Sequence, residues 1–259
     1  GCAVDNMGTA KAGMGVVASD LDRDGDEDLL VVNLSGENDS LFVNEGGRFM
    51  ERTASFGLSF VSRKHTRFGV GLIDFDHDGR LDGFHANGLV THPASSNYAD
   101  PLAEPNLLLR GIEGGRFELI APPEDFGEPL VATSRAAAFG DIDGDGDLDV
   151  LVHNKDGRAH LLRNTAPKAG HWAQLRLVGV TGGDALGATL MIRHGDTAFR
   201  TQVRTSWSYC AASSPTVHVG LGQDESIDEV AVRWPDGTEE VFGPLPADER
   251  HTLVRGTGR

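Results

Sequence analysis

Three nine-residue stretches carry carboxylates at a spacing suited to holding a metal ion. They are Asp20-Leu-Asp22-Arg-Asp24-Gly25-Asp26-Glu-Asp28, Asp74-Phe-Asp76-His-Asp78-Gly79-Arg80-Leu-Asp82 and Asp141-Ile-Asp143-Gly-Asp145-Gly146-Asp147-Leu-Asp149. Each reads D-x-D-x-D-G-x-x-D. Carboxylates at positions 1, 3, 5 and 9 with a backbone carbonyl at 7 offer a hard cation an all-oxygen cage, and the glycine at 6 permits the sharp turn that wraps it. Magnesium keeps several waters and rarely takes an all-protein cage, so the pattern points to calcium. A single copy is compatible with a solvated acidic turn. Three copies, each at the same place in a repeat, read as three calcium loops. An EF-hand needs a helix on each side and a Glu at position 12, and neither is present.

The elements around the loops repeat as well. Gly15-Val-Val-Ala-Ser19, Gly69-Val-Gly-Leu-Ile73 and Ala136-Ala-Ala-Phe-Gly140 precede them. After them come Asp28-Leu-Leu-Val-Val-Asn33, Asp82-Gly-Phe-His-Ala-Asn87 and Asp149-Val-Leu-Val-His-Asn154, each ending in Asn five residues past the last Asp. A third run follows at Leu41, Leu107 and Leu161, and the first two repeats share the pentapeptide Glu-Gly-Gly-Arg-Phe at 45–49 and 113–117. Short apolar runs bounded by Gly, Asn and Asp are strands. Four per repeat at this period describe a propeller blade.

Loop one to loop two is 54 residues and loop two to loop three is 67. The surplus lies between Asn87 and Leu107, in a Pro- and Ser-rich insertion over 88–105. Long loops on a rigid scaffold are where binding tends to sit. A tolerated surface excursion is the other reading.

These residues resemble the FG-GAP/VCBS repeat family, whose calcium loops lie between strands of propeller blades; the likeness covers 13–164. It implies that Asp20, Asp22, Asp24, Asp26 and Asp28 hold a first ion, Asp74, Asp76, Asp78, Arg80 and Asp82 a second, and Asp141, Asp143, Asp145, Asp147 and Asp149 a third. Asp26, Arg80 and Asp147 would bind through their carbonyls, which accounts for an Arg at that position. The expected fold class is all-β, with three propeller blades over 1–165 and a small sandwich- or barrel-like domain over 166–259.

That second domain is expected because the acidic loops stop after Asn164. Ala166-Pro-Lys-Ala-Gly170 reads as a linker, and alternating runs follow, among them Trp172–Val178, Gly187–Arg193, Thr216–Gly220 and Glu229–Trp234. Trp234-Pro-Asp-Gly237 is a hairpin signal. The segment resembles the ASPIC/UnbV domain through His171-Trp172, Gly187-Ala188, Ser208-Tyr209, Ser213-Ser214-Pro215, His218-Val-Gly220-Leu-Gly222 and Trp234-Pro235-Asp-Gly237. The likeness implies an extracellular module and no agreed chemistry.

Net charge is −16, and the twelve loop carboxylates at positions 1, 3, 5 and 9 supply much of it. The remaining acidity disfavours nucleic acid or an anionic membrane as partner, and no apolar run is long enough to span a bilayer. Weak calcium loops of the extracellular kind would stand empty in cytosol, which favours an extracellular, periplasmic or cell-surface setting with the export signal upstream or removed. Cys2 and Cys210 fall in different expected domains; Cys210 reads as a buried free thiol.

Catalytic motifs are few. H-E-x-x-H, G-x-S-x-G and Cys-rich metal spacings are missing. His65, His85 and His92 could approach one propeller face, or be ordinary surface and core residues. His77 is expected to face solvent, Gly220-Leu-Gly222 to be a turn, and Arg204-Thr-Ser-Trp207-Ser-Tyr209 either to grip sugar or peptide or to be ordinary core. The reading is a calcium-binding recognition or adhesion protein with an extracellular protein or glycan ligand. A secreted enzyme or enzyme accessory, with a site on the propeller face or domain junction, is the alternative. Three blades do not close a ring, so further repeats are expected before Gly1.

Overall fold

Strands of two-residue period build the molecule, and the computed structural model describes residues 2–96, 98–120 and 130–259. Asn97 of the insertion and 121–129 before the third repeat lie outside the described residues. The first repeat forms an antiparallel sheet in chain order from β1 (Val16–Ser19), β2 (Asp28–Val31), β3 (Ser40–Glu45) and β4 (Arg48–Glu51). A single helical turn, α1 (Leu58–Val61), leads to the second sheet: β5 (Arg67–Ile73), β6 (Asp82–Asn87), β8 (Leu107–Ile112) and β9 (Arg116–Ile120). The base of the insertion is tied down where β7 (Glu104–Pro105) pairs with β10 (Val131–Ala132). The third sheet has three described strands rather than four: β11 (Ser134–Gly140), β12 (Asp149–Asn154) and β13 (His160–Leu162).

Each motif that repeats in the sequence has a local task. Gly46 and Gly47 both take positive φ, 62° and 90°, as a two-residue hairpin turn between β3 and β4 requires. Asn33, Asn87 and Asn154 each donate a side-chain amide to a carbonyl beyond the second strand: Asn38 O at 2.8 Å, Pro105 O at 2.7 Å and Arg158 O at 2.7 Å. They close the turn into the third strand.

The sheets pack face to face, as propeller blades do. Val17, Leu30, Leu41 and Val43 of the first meet Val70, Leu72 and Leu109 of the second. Ile73, Phe84 and Ala86 on the second meet Ala137, Phe139, Val150 and Val152 of the third. The middle blade is covered on both sides, so every residue of β5 and β6 is buried. That is why β5 departs from strict alternation and carries Gly71, where a side chain would strike the Phe139 ring. The sheets do not close into a ring among the described residues. Leu151 and Leu161, cross-strand partners on the far face of the third blade, stay exposed.

The C-terminal segment is a separate all-β body with its own core. One sheet comprises β17 (Val217–Gly222), β14 (His171–Val178) and β22 (Glu249–Val254), with β14 and β22 parallel. The other comprises β16 (Thr197–Gln202), β15 (Thr189–His194), β19 (Glu229–Arg233) and β20 (Glu239–Phe242), and β18 (Ser226–Ile227) pairs with β21 (Leu245–Pro246). Ala173, Leu175, Leu177, Leu190, Ile192, Val219, Leu221, Val230, Val232 and Trp234 alternate along these strands into one core.

Between β16 and β17 the chain crosses to the innermost strands of all three blades. The Ser208 N–H donates to Val16 O at 3.0 Å, and Ser208 Oγ accepts from Val70 N at 3.0 Å. Ser213 Oγ accepts from Phe139 N at 3.1 Å, and Ser214 N donates to Phe139 O at 2.9 Å. Trp207 lies parallel on Phe139, centroids 4.8 Å apart, and touches both inter-blade cores. The Arg204–Tyr209 segment therefore packs against the blades. Cys210, expected inside, is exposed, because the segment turns its serines and Trp207 inward; Cys2 is also free and exposed.

Trp207 joins two cores at once, so Trp207→Ala is expected to cost about 3 kcal/mol. Urea unfolding followed by circular dichroism measures it. A loss under about 1 kcal/mol would mean the crossing segment contributes little to stability.

Candidate metal centre

Each acidic loop joins the first strand of a blade to the second, β1 to β2, β5 to β6 and β11 to β12, so the strand pair sets the loop's span. Within all three, the first aspartate bends back on the loop. Gly25, Gly79 and Gly146 donate to Asp20, Asp74 and Asp141 Oδ2 at 3.2, 2.8 and 2.8 Å. These glycines take φ of 95°, 85° and 98°, as the turn requires. Position 4 also takes positive φ, at Arg23, His77 and Gly144. The D-x-D-x-D-G pattern does not announce this.

Position 9 is a brace in every repeat. Asp28 accepts from Leu21 N at 2.9 Å and Asn44 N at 2.8 Å. Asp82 accepts from Phe75 N at 3.0 Å and Gly111 N at 2.7 Å, and Asp149 from Ile142 N at 3.1 Å and Asn164 N at 2.8 Å. Each ties the start of its loop to the third strand of its blade or, at Asn164, to the chain just beyond it.

The carboxylates gather into three clusters able to hold a metal ion: Asp20, Asp22 and Asp24; Asp74, Asp76 and Asp78; and Asp141, Asp143 and Asp149. Asp28, Asp82 and Asp145 are not in these closest groups. The first two clusters fit a cation on a further ground. Asp20 and Asp74 are each 4% exposed, and their Oδ1 atoms are buried without a hydrogen-bond partner. Burial, with Asp82 and other carboxylates adding repulsion, pushes Asp74 up to about 8. Burial likewise raises Asp28 and Asp82 to about 6 despite their backbone donors. Burial disfavours the charged form of each, and a bound cation would offset that cost.

The third loop differs. Burial pushes Asp141 upward, but donors from Arg250, Gln174, Gly144 and Gly146 outweigh it and leave the group below its ordinary value. Arg163 meets Asp143 at 2.5 Å and Asp145 at 3.4 Å. Basic side chains thus already offset part of this cluster's charge. Around the second loop, Arg110 lies 2.9 Å from Asp76, and Arg80 pairs with Asp78 while its Nε donates to Gly111 O at 3.2 Å. The Arg80 guanidinium thus lies on Asp78 at the rim of the cluster, which leaves its backbone carbonyl as the group it could offer an ion.

Family comparison agrees with this arrangement. The sequence matches the FG-GAP-like repeat over residues 20–84, from the first acidic loop through the second, and the ASPIC and UnbV family over 180–259. The chain carries an FG-GAP-like repeat and, after it, an ASPIC and UnbV domain. It is similar to cartilage acidic protein 1 of Xenopus tropicalis (30% identity over 87% of this chain and 34% of that protein). The mouse protein of that name is 28% identical over 93% of this chain and 36% of its own length. The human one is 29% identical over 87% and 33%. The chain spans about a third of the length of these curated relatives.

Where the ASPIC and UnbV domain meets the FG-GAP-like blades, several residues lie elsewhere than the sequence placed them. His77 is buried at 1% exposure rather than in solvent, because the third loop and the C-terminal domain close over the middle loop. Its Nε2 lies 3.3 Å from Asp147, and its ring is 5.1 Å from His218 and 6.5 Å from Trp172. Gly220-Leu-Gly222 is the end of strand β17, not a turn. The 166–170 stretch is pinned: Lys168 reaches Asp147 at 2.7 Å, and Ala169 N donates to Asp76 O at 2.7 Å. Gln174, Arg250 and the Arg200 amide, which touch the loops, have no local sequence signal. Glycines in β17 and the His171-Trp172 pair were the available hint.

On the opposite side of the blades, His85 is fully buried 3.8 Å from Asp39, which Arg67 holds at 2.7 Å, and His65 lies 3.5 Å from Glu104. His92 is exposed on the insertion. A cavity of about 160 Å³ lies where the first two loops meet the C-terminal domain, with Asp20, Asp74, Arg23, Arg204, Trp207 and Ser214 among its walls.

At Gly146 an added Cβ would overlap the Trp172 ring, and φ is 98°. Gly146→Ala should therefore cost more than Gly36→Ala, where φ is 89° and nothing lies within 4 Å. The second substitution carries only backbone strain, about 1 kcal/mol, and the first should at least double it. Equal losses in denaturant melts would remove Trp172 from the third loop.

Proposed function

We propose that this chain is an extracellular calcium-braced recognition module. Three loops hold calcium through Asp20, Asp22, Asp24, Asp28 and the Asp26 carbonyl; through Asp74, Asp76, Asp78, Asp82 and the Arg80 carbonyl; and through Asp141, Asp143, Asp145, Asp149 and the Asp147 carbonyl. The observation that carries the reading is the pair of buried, unpartnered oxygens, Asp20 Oδ1 and Asp74 Oδ1, each inside a cluster of carboxylates. A divalent ion supplies the missing positive partner, and an all-oxygen set without a dedicated water shell favours calcium over magnesium. The third loop binds more weakly, because its first aspartate, Asp141, is already paired by Arg250 and Gln174, whereas Asp20 and Asp74 each keep an unpartnered oxygen.

The extracellular setting is supported by the likeness to proteins named for cartilage and by the weak affinity typical of extracellular calcium modules. Blades 1–165 form the scaffold and 166–259 the companion domain. The exposed residues 91–96 and 98–100 of the insertion present the contact surface for a protein or glycan ligand. Further repeats in the native protein cover the open face at Leu151 and Leu161. The cavity at the domain junction supports a second reading, an enzyme accessory that holds a small ligand there.

Calcium at about ten times its dissociation constant adds roughly 1.4 kcal/mol per site, or about 4 kcal/mol for three. For a chain of this size that is a shift of roughly 10 °C. EGTA should lower the melting temperature by that order, and calcium should restore it far better than magnesium. Asp74→Ala should remove one tight site and Asp143→Ala only the weak one. A melt indifferent to chelator would overturn the assignment.

A further inference from the structure

The first aspartate of every acidic loop is met from the same side by the C-terminal domain. In the first loop the backbone N–H of Arg200, on β16, donates to Asp20 Oδ2 at 2.8 Å. In the second, Gly220 on β17 lies so close that a side chain there would overlap Asp74 Oδ2. Two residues on, Gly222 N donates to the His77 carbonyl at 3.1 Å. In the third, Gln174 on β14 donates from Nε2 to Asp141 Oδ2 at 2.9 Å, joined by Arg250 on β22. Gln174 is 3% exposed, so this polar group is buried only against the loop.

All three contacts fall on Oδ2, which in Asp20 and Asp74 is the oxygen other than the buried, unpartnered Oδ1. In Asp20 and Asp74, Oδ2 takes the loop glycine and abuts the C-terminal domain while Oδ1 is left for a cation. A carboxylate is rigid and planar, so whatever fixes Oδ2 also aims Oδ1. The C-terminal domain seats against all three loops at this one position, although its strands follow the loops by up to 180 residues.

We propose that the C-terminal domain completes the cation sites: Gly220, Gln174 and the Arg200 amide are positioning residues, and calcium binding and domain docking form one coupled equilibrium. The inference rests on the calcium reading above. Without the ion, Asp74 faces Asp76, Asp78 and Asp82 with its buried Oδ1 unpartnered, and the loop relaxes away from β17. Without the docked β17, Asp74 is free to turn and the site loses its geometry. Coupling of this kind is reciprocal, and about tenfold is ordinary. Gly220 accordingly has to be a glycine for the loop's sake: the three atoms nearest an added Cβ all belong to Asp74.

The test uses the full chain and calcium itself. Isothermal titration of the wild type, Gly220→Ala and Gln174→Ala gives the affinities. Cleavage after Lys168 by a lysine-specific protease, with and without EGTA, reports docking. Gly220→Ala should weaken one tight site about tenfold and Gln174→Ala the weak site by a similar factor. Calcium should slow cleavage after Lys168 in the wild type by at least fivefold. If Gly220→Ala misfolds, the wild-type cleavage ratio and Gln174→Ala decide the matter. Calcium binding by the wild type with unchanged variant affinities and calcium-independent cleavage would overturn the coupling and leave the calcium reading standing. A wild type that binds no calcium would overturn both.

Discussion

A carboxylate oxygen enclosed by protein, with no donor and with other carboxylates beside it, is held against both desolvation and charge repulsion. Asp20 and Asp74 are in that position, and much of the molecule is arranged to keep them there. The loop glycines take one oxygen, the blade strands fix the two ends of each loop, and the position 9 aspartates bind the loop to the third strand. What is left over in each is an unpartnered oxygen beside two further carboxylates, a set with the chemistry to hold a hard cation. The blades therefore do not merely carry acidic loops; the loops tie their strand ends together.

The same constraint accounts for the middle blade. Because its neighbours cover both faces, β5 and β6 contain small residues where the adjoining sheet approaches, and its loop is the most enclosed of the three. His77 and Asp147 then meet between neighbouring loops, and Arg23 reaches from the first loop to the Gly79 carbonyl of the second. Position 4 is thus a contact from one loop to the next, which explains why a long side chain tolerates positive φ there. The C-terminal domain presses on this row of loops through β14, β16, β17 and β22, and sends the 204–215 segment across the inner strands. Two bodies with separate cores share one polar seam.

Period-two alternation, Gly-Gly turns and the acidic loops were legible because each is a local property of the chain. The blades, the strand order within them and the three carboxylate clusters follow from those signals. The Asn at the end of each second strand was visible as a repeat, but its role as a turn clamp needed the fold. Burial of His77 was not legible, since it depends on a strand some 140 residues away, and neither was exposure of Cys210. The missing fourth strand of the third blade was hidden for the opposite reason: Asn164 continues the repeat pattern while Lys168 and Ala169 divert the chain onto the loops. Gly220 and Gly222 read as a turn because close approach of another backbone leaves the same residue type as a bend.

The direct test is a crystal structure grown in millimolar calcium, with the ions located by anomalous scattering. The account predicts ions in the first and second loops at about 2.4 Å from Asp20 Oδ1 and Asp74 Oδ1, and weaker occupancy in the third. Loops holding only water at those oxygens, under calcium at that concentration, would contradict it.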